Sequence, residues 1–359
     1  MGTSMARGAE PLLITAGEDT RGAKQPQVAI GPDGAIHLVC SDGEAVFYCR
    51  SDDKGLTFSP PREAIRVEKI ALGMRRGPRL AATDKAIVIS AIGSRLAVGL
   101  DGELQAWRST DGGKSWQGSS TVNDVTRSAR EGLHAMCAAP DGSVWCAWLD
   151  LRSRKMEIYA SRSGDGGESW SKNVLVYHSP GGSVCECCHP SVTADRTGRI
   201  RVLFRNSLDG NRDMYLATSS DGGQTFADAT KLGLGAWKLK ACPMDGGMIA
   251  VDASGMPLSV WRRDKTVFLT SGAVVNEQTL AEGQQPWIAS TSRGPVVAWT
   301  SGRQGDLWAK LPTSEMPIKL AADARDPVVA ASGDFAIVAW QGQRNDRAVV
   351  YTMRVEVAK

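Results

Sequence analysis

One eight-residue pattern occurs four times in the chain: Ser51-x-Asp53-x-Gly55-x-Thr57-Phe58, Ser109-x-Asp111-x-Gly113-x-Ser115-Trp116, Ser163-x-Asp165-x-Gly167-x-Ser169-Trp170 and Ser219-x-Asp221-x-Gly223-x-Thr225-Phe226. Successive aspartates lie 58, 54 and 56 residues apart. Recurrence at nearly constant spacing demands a repeated supersecondary unit, each copy burying its apolar faces against its neighbours. The residue types specify a tight turn between two strands. Asp and Ser side chains can bond the turn's own amides, Gly supplies a positive φ, and the closing aromatic packs back on the sheet.

Alternation and turn residues mark the other strands. The first unit reads as strands over 27–32, 35–40 and 45–50, with a fourth after its turn, and later units begin at Pro78, His134, Pro190 and Met248. Beyond the fourth pattern the strands continue without it. Segments 286–290, 295–300 and 307–310 form one more unit, and 327–331, 336–340 and 348–353 a last one. A large aromatic ends most second strands: Trp148, Phe204, Trp261, Trp299 and Trp340. The last unit lacks an outer strand, and residues 11–16 form a spare one, so pairing the two would close a ring and protect both edges. Residues 1–10 read as a disordered or vector-derived leader, and 11–359 as one domain.

The repeated turn resembles the Asp-box of the sialidase (BNR-repeat) superfamily, where it joins the third and fourth strands of a four-stranded blade. The resemblance implies an all-β fold, a β-propeller of four-stranded blades whose ring is closed by the N-terminal strand. The strand count favours seven blades over six, the number that true sialidases have, unless one blade has been split in two. The box residues themselves are turn staples, not catalysts.

Composition narrows the partners. With 42% hydrophobic residues the chain can bury a large core. A net charge of +3 without a Lys/Arg-rich run argues against nucleic acid as a partner. No apolar stretch approaches the roughly 18 residues of a membrane span. Residues 1–10 hold no apolar segment of signal-peptide type, so an exported chain would be a mature or trimmed one. The cysteines favour a periplasmic or secreted location. Cys137 and Cys146 flank Pro140-Asp141-Gly142-Ser143, and a two-residue Asp-Gly hairpin would set them opposite each other, within disulfide range. Cys40 and Cys49 sit on neighbouring strands. Buried free thiols are the alternative.

In a propeller, loops joining second to third strands and fourth to first strands share one face, and the Asp-boxes lie on the other. Gly181-Gly182-Ser183-Val184-Cys185-Glu186-Cys187-Cys188-His189-Pro190 leads into the fourth unit, Cys242-Pro243-Met244 into the fifth, and His134 opens the third. Cys185, Cys187, Cys188 and Cys242 should therefore converge beside the funnel, with His134 and His189 close by. Thiolates in such number suit Cu(I), Zn²⁺ or an iron–sulfur centre. Copper is the first choice of metal ion and zinc the second. Two structural disulfides among these four residues, or buried thiols, would be the bland outcome.

The same face carries Arg76, Asp150, Arg152, Arg205, Asn206, Arg262, Arg263, Asp264, Arg303 and Arg344. Arginines there could hold a small molecule or anionic ligand by bidentate hydrogen bonds, or form a solvated rim. The sialidase resemblance implies three carboxylate-binding arginines, a tyrosine nucleophile activated by a glutamate, and an aspartate acid/base. Its Arg-Ile-Pro motif is missing near this N-terminus. Tyr48, Tyr159, Tyr215 and Tyr351 fall in third strands and Tyr177 in an outer one, while Arg152, Arg205 and Arg262 match the triad by position only. With Asp150 they are the catalytic candidates. Three functions follow: an exported propeller with a cysteine-rich metal or redox site, a glycoside hydrolase of exo-sialidase type acting on an anionic sugar, or a non-catalytic binding propeller.

Overall fold

The computed structural model of the chain describes residues 10–14, 22–97, 99–272 and 276–357. All but the last residue of the leader expected over 1–10, and the last two residues of the strand expected over 11–16, lie outside these. Among the described residues every regular element is a β-strand. Among these residues no helix is long and apolar enough to cross a membrane.

After the short strand β1 (Leu12–Ile14), strands follow in sets of four. The first set is β2 (Lys24–Ile30), β3 (Ile36–Asp42), β4 (Ala45–Ser51) and β5 (Arg62–Arg66). The second is β6 (Arg79–Ala82), β7 (Ile87–Gly93), β8 (Glu103–Ser109) and β9 (Gln117–Thr121). The third is β10 (His134–Ala138), β11 (Val144–Asp150), β12 (Glu157–Ser163) and β13 (Val174–Tyr177). The fourth is β14 (Ser191–Ala194), β15 (Ile200–Arg205), β16 (Met214–Ser219) and β17 (Thr230–Lys231). The fifth is β18 (Met248–Val251), β19 (Pro257–Arg263), β20 (Thr266–Ser271) and β21 (Gln278–Glu282). Each set is an antiparallel meander. The remaining strands, β22 (Gln284–Thr291), β23 (Gly294–Thr300), β24 (Gly305–Lys310), β25 (Ile318–Ser332), β26 (Phe335–Arg344) and β27 (Arg347–Glu356), form one seven-stranded sheet with β1.

The long strand β25 serves two partners. Its stretch from Ile318 to Ala324 pairs with β24, and from Arg325 onward it pairs with β26. Asp323 and Asp326, both at positive φ, bend it between the two. β1 pairs with β27 through Leu12↔Thr352, Leu13↔Tyr351 and Ile14↔Val350, the closure expected of the N-terminal strand. The innermost strands β2, β6, β10, β14, β18, β22 and the second half of β25 neighbour one another in a closed cycle. The fold is a β-propeller.

Apolar second strands fill the space between sheets. Trp148, Trp261, Trp299 and Trp340 are buried, as is Phe204. Each repeated turn fastens one sheet to the preceding one. The glycine of its pattern, at φ between +84° and +88°, packs against Ile337 (Gly55), Tyr48 (Gly113), Val88 (Gly167) or Trp145 (Gly223) of the neighbouring sheet. Within the turn, Ser51 Oγ donates to Asp53 Oδ1 at 2.7 Å, and the Thr57 amide and hydroxyl donate to the same carboxylate at 2.9 and 2.6 Å. The other three turns repeat this arrangement.

The expected cysteine pairs do not form. The hairpin between β10 and β11 has a three-residue loop, with Ala139 N bonded to Ser143 O at 2.8 Å and Gly142 at φ +74°. That extra residue slips the register by one. Cys137 faces Trp145 and Cys146 faces Met136, so the two thiols point to opposite sides of the sheet. Cys40 pairs with Phe47 and Cys49 with Leu38, a diagonal relation. All eight cysteines are free, which removes these pairs as an argument for an oxidising compartment.

Candidate functional site

The antiparallel order puts the connection from β13 to β14 on the face away from the repeated turns. Residues 178–190 form that connection, and their backbone is pinned to the funnel-side ends of two sheets. Val184 N donates to Met156 O at 2.9 Å, ahead of β12, and Cys185 N to Arg205 O at 3.0 Å, at the end of β15. The anchored loop turns its cysteines inward. Cys185 Sγ lies 3.1 Å from Cys188 Sγ and 3.7 Å from Cys187 Sγ, and all three sulfurs fall within 4.8 Å of one another. These are non-bonded contacts, well beyond the ~2.05 Å of a disulfide.

The cluster has a graded exposure. Cys185 and Cys188 are buried, Cys187 is partly buried with its sulfur turned inward, and Cys242 is exposed. The neighbouring Cys187 sulfur, then burial, push the Cys242 thiol above its ordinary value. The Cys187 and Cys188 thiols hydrogen-bond the Cys185 sulfur and hold it well below its ordinary value, against burial and with help from the Arg205 charge. Burial drives Cys188 the opposite way. The three sulfurs thus form one hydrogen-bonded group. Three soft ligand atoms around one point are what a thiophilic ion requires, and binding would release the remaining thiol protons.

Neither histidine joins the sulfurs. His189 Nδ1 accepts the Gly246 amide at 3.3 Å, so the ring proton sits on Nε2, which faces Met248 Sδ at 3.4 Å. Burial, then the charges of Arg75, Arg79 and Arg205, hold His189 neutral. His134 is fully buried at the start of β10, its Nε2 3.0 Å from Ser90 Oγ and its carbonyl bonded by Arg79 Nε at 3.0 Å. It serves the seam between the second and third sheets.

The charged candidates are bound to protein partners. Asp150 is buried and accepts from Ser128 Oγ, Trp148 Nε1 and Arg152 at 2.7–3.0 Å. Arg152 also pairs with Asp124 at 2.9 Å and lies over the Tyr159 ring. Arg205, 1% exposed, donates to the carbonyls of Arg212, Asp245 and Arg262. Arg262 pairs with Asp245 at 3.1 Å and donates to Pro243 O at 3.0 Å. Trp237 stacks against both Arg205 and Arg262. Among these three arginines, Arg205 and Arg262 are neighbours, but their guanidiniums fasten the loop that carries Cys242.

A second polar group lies across the axis and was not singled out in the sequence. Asp245 Oδ2 accepts Gln285 N at 2.8 Å, Gln285 Oε1 accepts Asp326 N at 2.6 Å, and Gln25 Nε2 reaches Asp326 Oδ2 at 3.5 Å. Arg75 is buried among them, bonded to the carbonyls of Pro286 and Pro327. Gln25, Gln285 and Asp326 share one position: each precedes a proline opening an inner strand, at φ 47°, 54° and 49°. Positive φ is rare for such residues, so these sites are strained and held by their surroundings. The polar-Pro pair at each inner strand was the available signal. Beside this group a cavity of about 300 Å³ opens, lined by Lys24, Arg303, Arg325 and Gln341. The far end of the axis is a channel of about 930 Å³ between mainly small and apolar residues of the inner strands.

Comparison with known proteins agrees with the fold. A family model described as "BNR repeat-like domain" matches residues 98–316, more than half of the chain. No protein with a curated description matches. Among solved structures, an α-L-arabinanase of Penicillium chrysogenum complexed with arabinobiose is similar at TM-score 0.57 and 14% identity, covering 98% of this chain and 99% of that one. An α-L-arabinofuranosidase of Fusarium graminearum with arabinobiose gives TM-score 0.57 at 12% identity, covering 98% and 99%. An intramolecular trans-sialidase of Ruminococcus gnavus with oseltamivir carboxylate gives 0.55 at 9% identity, covering 97% of each chain. At such identities the likeness is one of fold. The chain belongs to the BNR repeat-like domain family, as a sialidase-like β-propeller.

Proposed function

We propose that this protein is a thiophilic-metal propeller: Cys185, Cys187 and Cys188 hold one soft metal ion at the funnel face, with copper(I) preferred to zinc. One observation carries this reading, the three sulfur atoms within 4.8 Å of one another on a loop pinned to two sheets. Zinc favours four ligands in a tetrahedron. Here His189 presents a protonated nitrogen to Met248, and Cys242 is exposed beside Cys187 alone, so three sulfurs form the set suited to Cu(I). A periplasmic or secreted location belongs to the same proposal and rests on this soft ligand set. The reading of the strand order as seven blades is proposed with it and rests on the seven inner strands in a closed cycle, with β25 contributing to two blades.

Elemental analysis of the protein purified anaerobically and supplied with Cu(I) tests the reading. The expected result is about one copper per chain, lost in Cys187→Ser and in Cys185→Ser. Absence of copper, or equal copper in the variants, would refute it. A pre-formed disulfide found by thiol counting would replace metal by redox chemistry.

A second reading, a glycoside hydrolase, is favoured by the sugar-acting proteins that share the fold and by the cavity beside Asp326. Burial raises the Asp326 carboxyl, as a general acid needs, although Arg75 opposes it. The same preparation should leave nitrophenyl α-L-arabinofuranoside and a fluorogenic sialoside intact. Turnover abolished by Asp326→Asn would transfer the function to that cavity.

A further inference from the structure

The three clustered cysteines do not stand at equivalent places in their loop. Cys188 N donates to Cys185 O at 3.4 Å, and Glu186 and Cys187 form the corner between them, so residues 185–188 make a β-turn. The ends of such a turn approach within about 7 Å at Cα, which overlaps the span of a disulfide. Cys185 and Cys188 are those ends, and their sulfurs already lie 3.1 Å apart. Closing to the ~2.05 Å of a covalent bond needs a shift of about 1 Å. Cys187 sits at the corner, 3.7 Å from the Cys185 sulfur, and is the partly exposed residue of the three, next to the exposed Glu186. Both ends of the turn are fixed. Before it, the Val184 and Cys185 amides are bonded to Met156 and Arg205, and after it His189 Nδ1 accepts the Gly246 amide. The frame itself holds the thiols against one another.

Resting on the metal reading above, we infer that the same cluster is a dithiol oxidised by hydroperoxides, that its disulfide joins Cys185 to Cys188, and that this bond excludes the ion. Cys187 is the entry thiol, since the other two residues are buried. Its sulfur attacks one oxygen of hydrogen peroxide. The O–O bond breaks, an S–O bond forms, and the thiol proton leaves with the second oxygen as water. Cys185 then attacks the Cys187 sulfur, an S–S bond forms, and the sulfenic hydroxyl departs with the Cys185 proton as a second water. Cys188 next attacks the Cys185 sulfur and displaces Cys187, which takes the Cys188 proton. This exchange moves the bond from the corner of the turn to its two ends. The balance is two electrons from two thiols, and reduction of one peroxide to two waters. The product keeps a single thiol where three soft ligands had held the ion.

Disulfide mapping on the reduced, metal-free protein tests the inference, with Cys242→Ser as the background so that its exposed thiol does not compete. After about one equivalent of hydrogen peroxide under anaerobic conditions, free thiols are alkylated and the tryptic peptide carrying all three cysteines is sequenced by mass spectrometry. The expected result is the loss of two thiols per chain, a Cys185–Cys188 bond and an alkylated Cys187. Adding Cys188→Ser should stop the sequence at a Cys185–Cys187 bond. Retention of all three thiols, oxidation only to sulfinic or sulfonic acid, or a final bond from Cys187 without Cys188→Ser overturns the inference. Uptake of Cu(I) is read on the same samples after catalase removes excess peroxide. The oxidised protein should take up none, and reduction by a phosphine should restore uptake. Equal uptake by oxidised and reduced protein also overturns the inference. Reduced protein that takes up no copper, yet forms the Cys185–Cys188 bond, refutes the metal reading alone and leaves the dithiol standing, so the two failures are distinct.

Discussion

At the scale of single residues, the four repeated turns show how one carboxylate organises a loop. Asp53 gathers the Ser51 hydroxyl and both the amide and hydroxyl of Thr57. The Thr57 hydroxyl, then its amide, hold the carboxyl at about 2 instead of its ordinary 3.8, with burial opposing. A carboxyl lowered on folding contributes stability above its unfolded value, and that contribution is lost as pH falls through the folded value. Asp53→Asn should therefore lower stability at pH 7 by about 1 kcal/mol, a figure discounted for solvent screening at an open turn. The deficit should shrink between about pH 4 and pH 2 and vanish below. Thermal melts of parent and variant across that range check it; a pH-independent deficit would mean that charge plays no part.

At the scale of elements, these turns fasten sheets to one another. A Cβ at Gly223 would lie 1.9 Å from the Trp145 ring of the preceding sheet, at a φ of +84° that side chains avoid. Gly223→Ala should cost about 3 kcal/mol or more, while alanine at Gly222, whose added Cβ meets nothing, should cost less despite a similar φ. Chemical denaturation of both variants compares them directly. The glycine of the repeated pattern was legible in the sequence as a turn residue, but its contact with the next sheet was not, since no local pattern encodes the spacing of neighbours. The reverse happened with the cysteines. Strand order alone placed Cys185, Cys187, Cys188 and Cys242 on one face, because successive connections of a meander must alternate faces. Cys137 and Cys146 were misplaced because one extra turn residue changes the side of the sheet. The histidines were misplaced for a different reason: proximity in the chain does not set which way a ring faces, and Gly246 and Ser90 decide that.

At the scale of the whole molecule, the ring creates the candidate site. The loop carrying the three sulfurs is held by Met156 and Arg205 from two sheets, and Arg205 in turn grips carbonyls of residues 212, 245 and 262 around the next. Closure by β1 on β27 keeps those sheets in fixed rotation, so the sulfurs meet in a frame that the isolated loop would lack. The arginines that could have clamped a carboxylate are used as fasteners in that frame. Copper K-edge X-ray absorption on the Cu(I)-loaded protein tests the resulting account most directly. It predicts a shell of about three sulfur scatterers and no nitrogen, matching Cys185, Cys187 and Cys188. A shell dominated by nitrogen or oxygen, or one unchanged when Cys187 is replaced by serine, would contradict it.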